Sequence, residues 1–393
     1  KMQLRPAANE PGSHPNYSPA TAQQPSIVDF LHPGYPEGEA VLLSLPALDD
    51  GGIDFDTALA ACGLIAGNRW SDGFFSLERG GAVSVERPDD GILREPQYFF
   101  HLPGPLDPPY PIVPRFSHWR FPHNNLPPLW QKWAANAAAT QRIGGNVPRC
   151  CILSNYGDGL EMAHLLPTRE DDWWLLNNMQ RYSRTQQFSS NPIDGPANLV
   201  TLRADLHRVF DERHFCFVPK RKPPQLVVHV FNSTPTGQLP ILWHNRALHP
   251  IPATVAVQCL FTRFAWTVLS PSIFDEFLPS SSMPRRLLLW SPEERKWKTE
   301  EASPEMCRQM WTNARSRSPK KRSAARSADA ADEILAMESR SLHDSGYFGR
   351  DTFENDGYYD DDLGPAEQDE EEHRGRSRKR RRRTEEEQDL FQK

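Results

Sequence analysis

The amino-acid sequence predicts an α+β protein: a mixed, β-rich N-terminal region packed with a small central strand–loop–helix–strand unit, then a disordered, charged C-terminal tail. Three observations predict it. Short apolar runs punctuated by Gly and Pro fill residues 27–147, as short strands and turns require. Between residues 160 and 219 the apolar period changes from that of a strand to that of a helix and back. From about residue 311 the chain becomes blocks of like charge, which repel, stay solvated and bury no core.

Composition bounds the rest. At about 150 residues per domain, a chain of 393 residues holds two or so folded units plus tails. A hydrophobic fraction of 38% with 37 prolines points to disorder beside a real core, and 11 Trp and 20 Phe make that core aromatic. The longest apolar run, Ala253–Leu269, contains Gln258, Thr262 and Arg263, so it reads as a buried helix. With no run of about 18 apolar residues, no membrane partner is expected. No basic-then-apolar leader follows Lys1, so secretion is not expected. The six cysteines form no C-x-x-C pair, which argues against a zinc ribbon and for reduced thiols. Cys150 and Cys151 read as core thiols, and the sequons at Asn16 and Asn232 as unused.

In chain order, residues 1–26 read as a disordered tail and 27–147 as an α+β region. In that region Ala40–Leu48, Phe74–Glu78, Ala82–Glu86 and Gln97–Leu102 suit strands, and Asp54–Ala66 a helix. Tyr110–Trp130 carries too much proline for a regular element and reads as an extended segment laid over the core, before a helix at Leu129–Arg142. Residues 148–278 form the central domain, with a strand at Gln225–Phe231 and a supporting helix at about Ala253–Val268. A unit of roughly 70 residues needs such outside packing. Residues 279–310 read as a linker and 311–393 as the disordered tail with basic clusters.

The chemistry concentrates in the central domain. Glu161–Pro167 alternates as a strand and carries His164. Asn198 precedes a stretch in which Leu202, Leu206, Val209 and Phe210 share one helical face. On that helix His207 and Asp211 lie four apart, so both project from one side, the spacing that lets two side chains hold one ion. An apolar strand, with His214 structural, follows. A neutral imidazole at His164 can take a proton from an attacking water. Asn198 does not titrate; its amide can tie down a loop or orient the base.

These residues resemble the HNH, or ββα-metal, nuclease motif. The markers are Ala163-His164-Leu165-Leu166-Pro167, Asn198-Leu-Val-Thr-Leu202 and Asp205-Leu206-His207-Arg208-Val209-Phe210-Asp211, with eight residues between Asn198 and His207. The form is most similar to that of fungal HNH proteins and some bacterial restriction-type proteins. Pro111–His123 and Leu260–Trp266 resemble further segments of the fungal group, extending the likeness over residues 27–278. The resemblance implies a metal-dependent endonuclease that hydrolyses nucleic-acid phosphodiester bonds, with DNA the expected substrate. His164 would be the general base, Asn198 the organising residue of the catalytic set, and His207 and Asp211 the ligands of a divalent ion. Mg²⁺ is expected first, then Mn²⁺, Ni²⁺ or Zn²⁺. Many relatives carry Asp, Glu or His just before the base; here that position is Ala163, which binds no metal. The insertion between His164 and Asn198 is also long and is expected to add a helix.

Arg203 and Arg208 are candidate phosphate contacts. The net charge of −6 gives no general attraction to nucleic acid, so binding would rest on local basic patches. Arg378, Lys379, Arg380, Arg381, Arg382 and Arg383 form a basic block suited to an import receptor, hence a nuclear location, with Arg315–Arg322 a second cluster. The alternative function is a catalytically inactive domain of the same fold that binds nucleic acid or protein in the nucleus.

Overall fold

The computed structural model describes residues 4–8, 25–140, 150–183, 191–220, 225–232, 237–274 and 277–316. The N-terminal region is built on β1 (Ile27–Leu31), β2 (Val41–Pro46), β3 (Ile53–Asp54), α1 (Phe55–Ile65), β4 (Phe74–Ser76), β5 (Ile92–Leu93) and β6 (Gln97–His101). Four of these strands form one sheet in the order β2-β1-β6-β4, in which β1 runs antiparallel to β2 and parallel to β6. The Asp54 side chain accepts from the backbone N–H of Thr57 and so starts α1, which buries Ala58, Ala61, Leu64 and Ile65.

Tyr110–Trp130 is the extended, aromatic segment its prolines require. It holds one short 3-10 turn at Phe116–His118 and leads into α2 (Pro128–Thr140). Its Val113, Trp119 and Phe121 are buried. Residues 82–86 are not the expected strand. They join β4 through the bond from Val85 N–H to Phe75 O, and Val83 stays exposed, so no ladder forms.

The central unit follows as β7 (Leu160–His164), α3 (Asp171–Leu176), β8 (Leu199–Arg203), α4 (Ala204–Asp211) and β9 (Phe215–Lys220), then β10 (Gln225–Val230), α5 (Gln238–Trp243) and α6 (Val257–Val268). β7 and β8 pair antiparallel from Leu160↔Arg203 to His164↔Leu199. Leu202 therefore belongs to a strand and not, as its spacing suggested, to the helix. Pairing with β7 overrides the local helical period, and α4 begins only at Ala204. The insertion does add the expected helix: α3 buries Trp173 and Trp174. Trp173 stacks flat on Trp119 at 5.4 Å and donates from Nε1 to Trp119 O at 2.8 Å. The insertion is thus fixed to the aromatic segment.

Residues 4–8 are docked, not a free tail: Arg5 N–H donates to Asn245 O and Arg5 O accepts from Ala247 N–H. Residues 279–310 are not a linker, because β11 (Arg285–Ser291), β12 (Lys296–Ala302) and α7 (Pro304–Ser316) form there. Leu287 is fully buried, and Leu288 N–H donates to Ile112 O at 2.7 Å. The charges on the outer side of this hairpin concealed its alternation. α7 also runs past residue 311, where the tail was expected to begin. The acidic stretch Asp351–Glu372, most of the Arg315–Arg322 cluster and the block Arg378–Arg383 lie outside the described residues. Among the described residues, no helix is long and apolar enough to cross a membrane.

Candidate active site

Of the four residues singled out by spacing, His164 lies on β7, His207 and Asp211 lie on α4, and Asn198 immediately precedes β8. His164 ends β7, and its Nε2 lies 2.9 Å from Asp194 Oδ1. A carboxylate only accepts, so Nε2 carries a proton, and in the neutral ring the lone pair is on Nδ1. Asn198 is buried and fully used. Its Oδ1 accepts from Leu166 N–H at 2.9 Å, and its Nδ2 donates to Leu166 O at 2.8 Å and Ile193 O at 3.0 Å. The backbone adds the bond from Leu165 N–H to Asn198 O. The chain just beyond His164 is therefore tied to the strand that leads to α4.

His207 and Asp211 do project from one side of α4: His207 Nε2 lies 3.4 Å from Asp211 Oδ2. On the other ring nitrogen, Nδ1 lies 2.7 Å from Glu161 Oε2. Side chains alternate along a strand, so Glu161 and Ala163 share one side of β7 and His164 takes the other. Ala163 is completely buried and Glu161 is half exposed. Each imidazole has its own carboxylate, Asp194 for His164 and Glu161 for His207.

Arg203 pairs with Asp205 through Nε at 2.6 Å, and Arg208 with Glu212 through Nε at 3.2 Å. Both candidate phosphate contacts are occupied by carboxylates next to or on their own helix. His214 Nδ1 lies 3.2 Å from Asn232 O, at the start of β9.

The donor set fits a divalent ion. Two N/O ligands about 2.1 Å from one ion, at octahedral or tetrahedral angles, stand about 3.0–3.4 Å apart. The His207–Asp211 separation falls at the upper end of that range. Hard carboxylate oxygen with imidazole nitrogen suits Mg²⁺, Mn²⁺, Ni²⁺ or Zn²⁺. A second cluster looks superficially similar. Asp49, His229 and His244 lie close enough together to hold an ion. There, however, Asp49 Oδ1 already accepts from Lys220 Nζ, His244 Nε2 at 2.9 Å and Asn245 Nδ2 at 2.7 Å. The buried ammonium occupies the place of a cation, so this cluster is a structural knot.

Behind the site, α6 supplies Arg263, which is fully buried. It donates from Nη1 to Leu165 O at 3.3 Å and from Nη2 to Phe210 O. One guanidinium thus grips the residue after His164 and the residue before Asp211. Burial pushes its pKa down to about 9, with the Asp211 charge opposing.

Spacing did not reveal Glu161, Asp194 or Arg263. Glu161 had a signal: a lone acid in an otherwise apolar strand. Asp194 sits in an Asn-Pro-Ile-Asp turn, where an acid is ordinary turn chemistry.

With this geometry described, comparison with known proteins gives one family finding. A family model described as HNH endonuclease matches residues 150–218. No curated protein and no solved structure matches the chain.

Proposed function

We propose, starting from the HNH endonuclease domain at residues 150–218, that the protein is a metal-dependent endonuclease hydrolysing phosphodiester bonds in DNA. The observation that carries the reading is the pair of imidazoles held by carboxylates on one β–β–α unit, with His207 Nε2 and Asp211 Oδ2 spaced 3.4 Å apart. A divalent ion on those two residues supplies positive charge to the scissile phosphate and the leaving oxygen. His164 Nδ1 accepts the proton of the attacking water, and the oxygen forms the new bond to phosphorus as the ester bond breaks. Asp194 holds Nε2–H and stabilises the imidazolium that results. Asn198 fixes residues 165 and 166, and so the end of the strand that carries His164.

The test is nicking of supercoiled plasmid by the full chain with Mg²⁺, Mn²⁺, Ni²⁺ or Zn²⁺. Cleavage that His164→Ala abolishes is expected. No cleavage with any of the four ions, or cleavage equal to that of His164→Ala, overturns the activity.

A second reading draws on Ala163. Its methyl leaves the strand without the acid that usually precedes the base, so the domain would bind nucleic acid or protein without cutting. DNA binding unchanged by His164→Ala and His207→Ala favours that reading. Nuclear import through Arg378–Arg383 is a further proposal. Deleting residues 374–383 is expected to move a fluorescent fusion to the cytoplasm.

A further inference from the structure

We infer that Glu161 is a positioning residue for the metal site, fixing the tautomer of His207. The inference rests on the proposed metal site, and it begins from the two nitrogens of one ring. Nδ1 faces Glu161 Oε2 at 2.7 Å, and Nε2 faces Asp211 Oδ2 at 3.4 Å. Both neighbours are carboxylates, which only accept. A neutral imidazole has one proton for two acceptors. The shorter contact has hydrogen-bond length and claims that proton, so Nδ1–H donates to Glu161. The Nε2 lone pair then faces an Asp211 oxygen lone pair. That arrangement is unfavourable until a cation lies between them, and the spacing is the one two ligands take around a single ion.

Glu161 is not itself a ligand of that ion. It sits on the far ring nitrogen, and no rotation brings both nitrogens to one side of the imidazole. Its place in the strand explains how it reaches the ring. Residues 161 and 163 share one side of β7, so the carboxylate two residues before Ala163 comes up beside α4. A carboxylate on the outer nitrogen of a ligating histidine holds the ring, fixes its tautomer and raises the basicity of the ligating nitrogen. Removing such partners costs about 10–100-fold in metal affinity.

The experiment uses the full chain with two readouts. The first is ¹⁵N NMR of the histidine rings in metal-free protein at a pH where His207 is neutral, its signals identified by their loss in His207→Gln. The native protein is expected to show Nδ1–H at His207. Glu161→Ala is expected to revert to mainly Nε2–H, the tautomer free imidazole prefers. Glu161→Gln, whose amide oxygen still accepts, retains Nδ1–H. The second readout is Mn²⁺ binding by calorimetry. Glu161→Ala is expected to bind about 10–100-fold more weakly, and Glu161→Gln to recover part of that loss. Nε2–H at His207 in the native protein overturns the inference, as does a tautomer or Mn²⁺ affinity that Glu161→Ala leaves unchanged. Native protein and His207→Ala binding Mn²⁺ alike would overturn the metal site itself, while the NMR readout would still decide the role of Glu161.

Discussion

At the scale of single residues, the site depends on an asparagine whose side-chain polar atoms are all committed. Asn198 makes three bonds to backbone groups of Leu166 and Ile193, all buried. Asn198→Ala would leave those groups without partners, at about 1–3 kcal/mol for each one stranded. A loss of several kcal/mol in urea unfolding is therefore expected. Asn198→Asp tests the direction of the bonds. Its oxygen still accepts from Leu166 N–H, but nothing donates to Leu166 O or Ile193 O, and a buried carboxylate faces two carbonyls. It should therefore be no more stable than the alanine variant, and an Asp variant of native stability would refute the bonding described. Asp194 sits at the surface and works differently. Asp194→Asn still offers an amide oxygen to His164 Nε2–H but removes the negative charge that stabilises the imidazolium. Cleavage is expected to fall by about 10²–10⁴-fold, the usual contribution of a positioned base, while the unfolding free energy stays within about 0.5 kcal/mol of native. Equal cleavage by the Asn variant would remove Asp194 from the mechanism.

At the scale of elements, β7 and β8 are neighbours in space although 34 residues, 165–198, separate them in the chain. The cost of closing that loop is met by burying Trp173 and Trp174 and by the grip of Arg263 on Leu165 O and Phe210 O. Arg263→Met keeps most of the volume on α6 but leaves both carbonyls unbound. A destabilisation of about 2–4 kcal/mol is expected, read by thermal unfolding, with Mn²⁺ affinity lost in the same variant because Phe210 precedes Asp211. Native-like stability would show that α6 only packs against the unit. The same elements show what a sequence discloses. His164, Asn198, His207 and Asp211 were legible because each occupies a position set by local spacing. The start of α4 was not, because Leu202 obeys both the helical period and the strand pairing, and only the partner strand decides between them. The β11–β12 hairpin was also hidden. Lys296, Lys298 and Glu300 give it the composition of a linker, and its buried apolar anchor in β11, Leu287, reaches a core contributed from far away in sequence.

At the scale of the whole described body, the N-terminal region and the central unit are joined by buried charge. Lys220 at the end of β9 meets Asp49, which also holds His244 and Asn245. Burial alone would raise the Asp49 carboxyl; Lys220 and His244 outweigh it and hold it well below the usual carboxylate range. Lys220→Met would leave that carboxylate buried with less compensation, and about 3–5 kcal/mol of stability is expected to be lost. The same burial governs the response to acid. His32 donates from Nε2 to Tyr110 O and accepts at Nδ1 from Gly34 N–H, so it is neutral; burial pushes its pKa down to about 3. His118 accepts at Nδ1 from Trp290 N–H, and burial, aided by Arg115 and Arg120, pushes it down to about 4. Burial also lowers His229 and His244. In the unfolded chain each histidine titrates near 6.5, so between about pH 6.5 and 4 the unfolded state binds more protons, and stability falls as pH falls. Asp54 acts in the opposite sense. Burial raises it to about 6, so it takes its proton in the folded state first and gives back stability over part of the same window. Four imidazoles outweigh one carboxyl. The Tm is therefore expected to hold between pH 8 and 7 and to drop steadily from pH 6.5 to 4.5. The drop should be accompanied by a change in tryptophan fluorescence as protonated His118 releases Trp290 and the β11–β12 hairpin. His118→Asn, which retains an acceptor without a titrating ring, should flatten part of that slope. A Tm that stays level or rises down to pH 4.5 would mean that these rings are not buried as neutral groups.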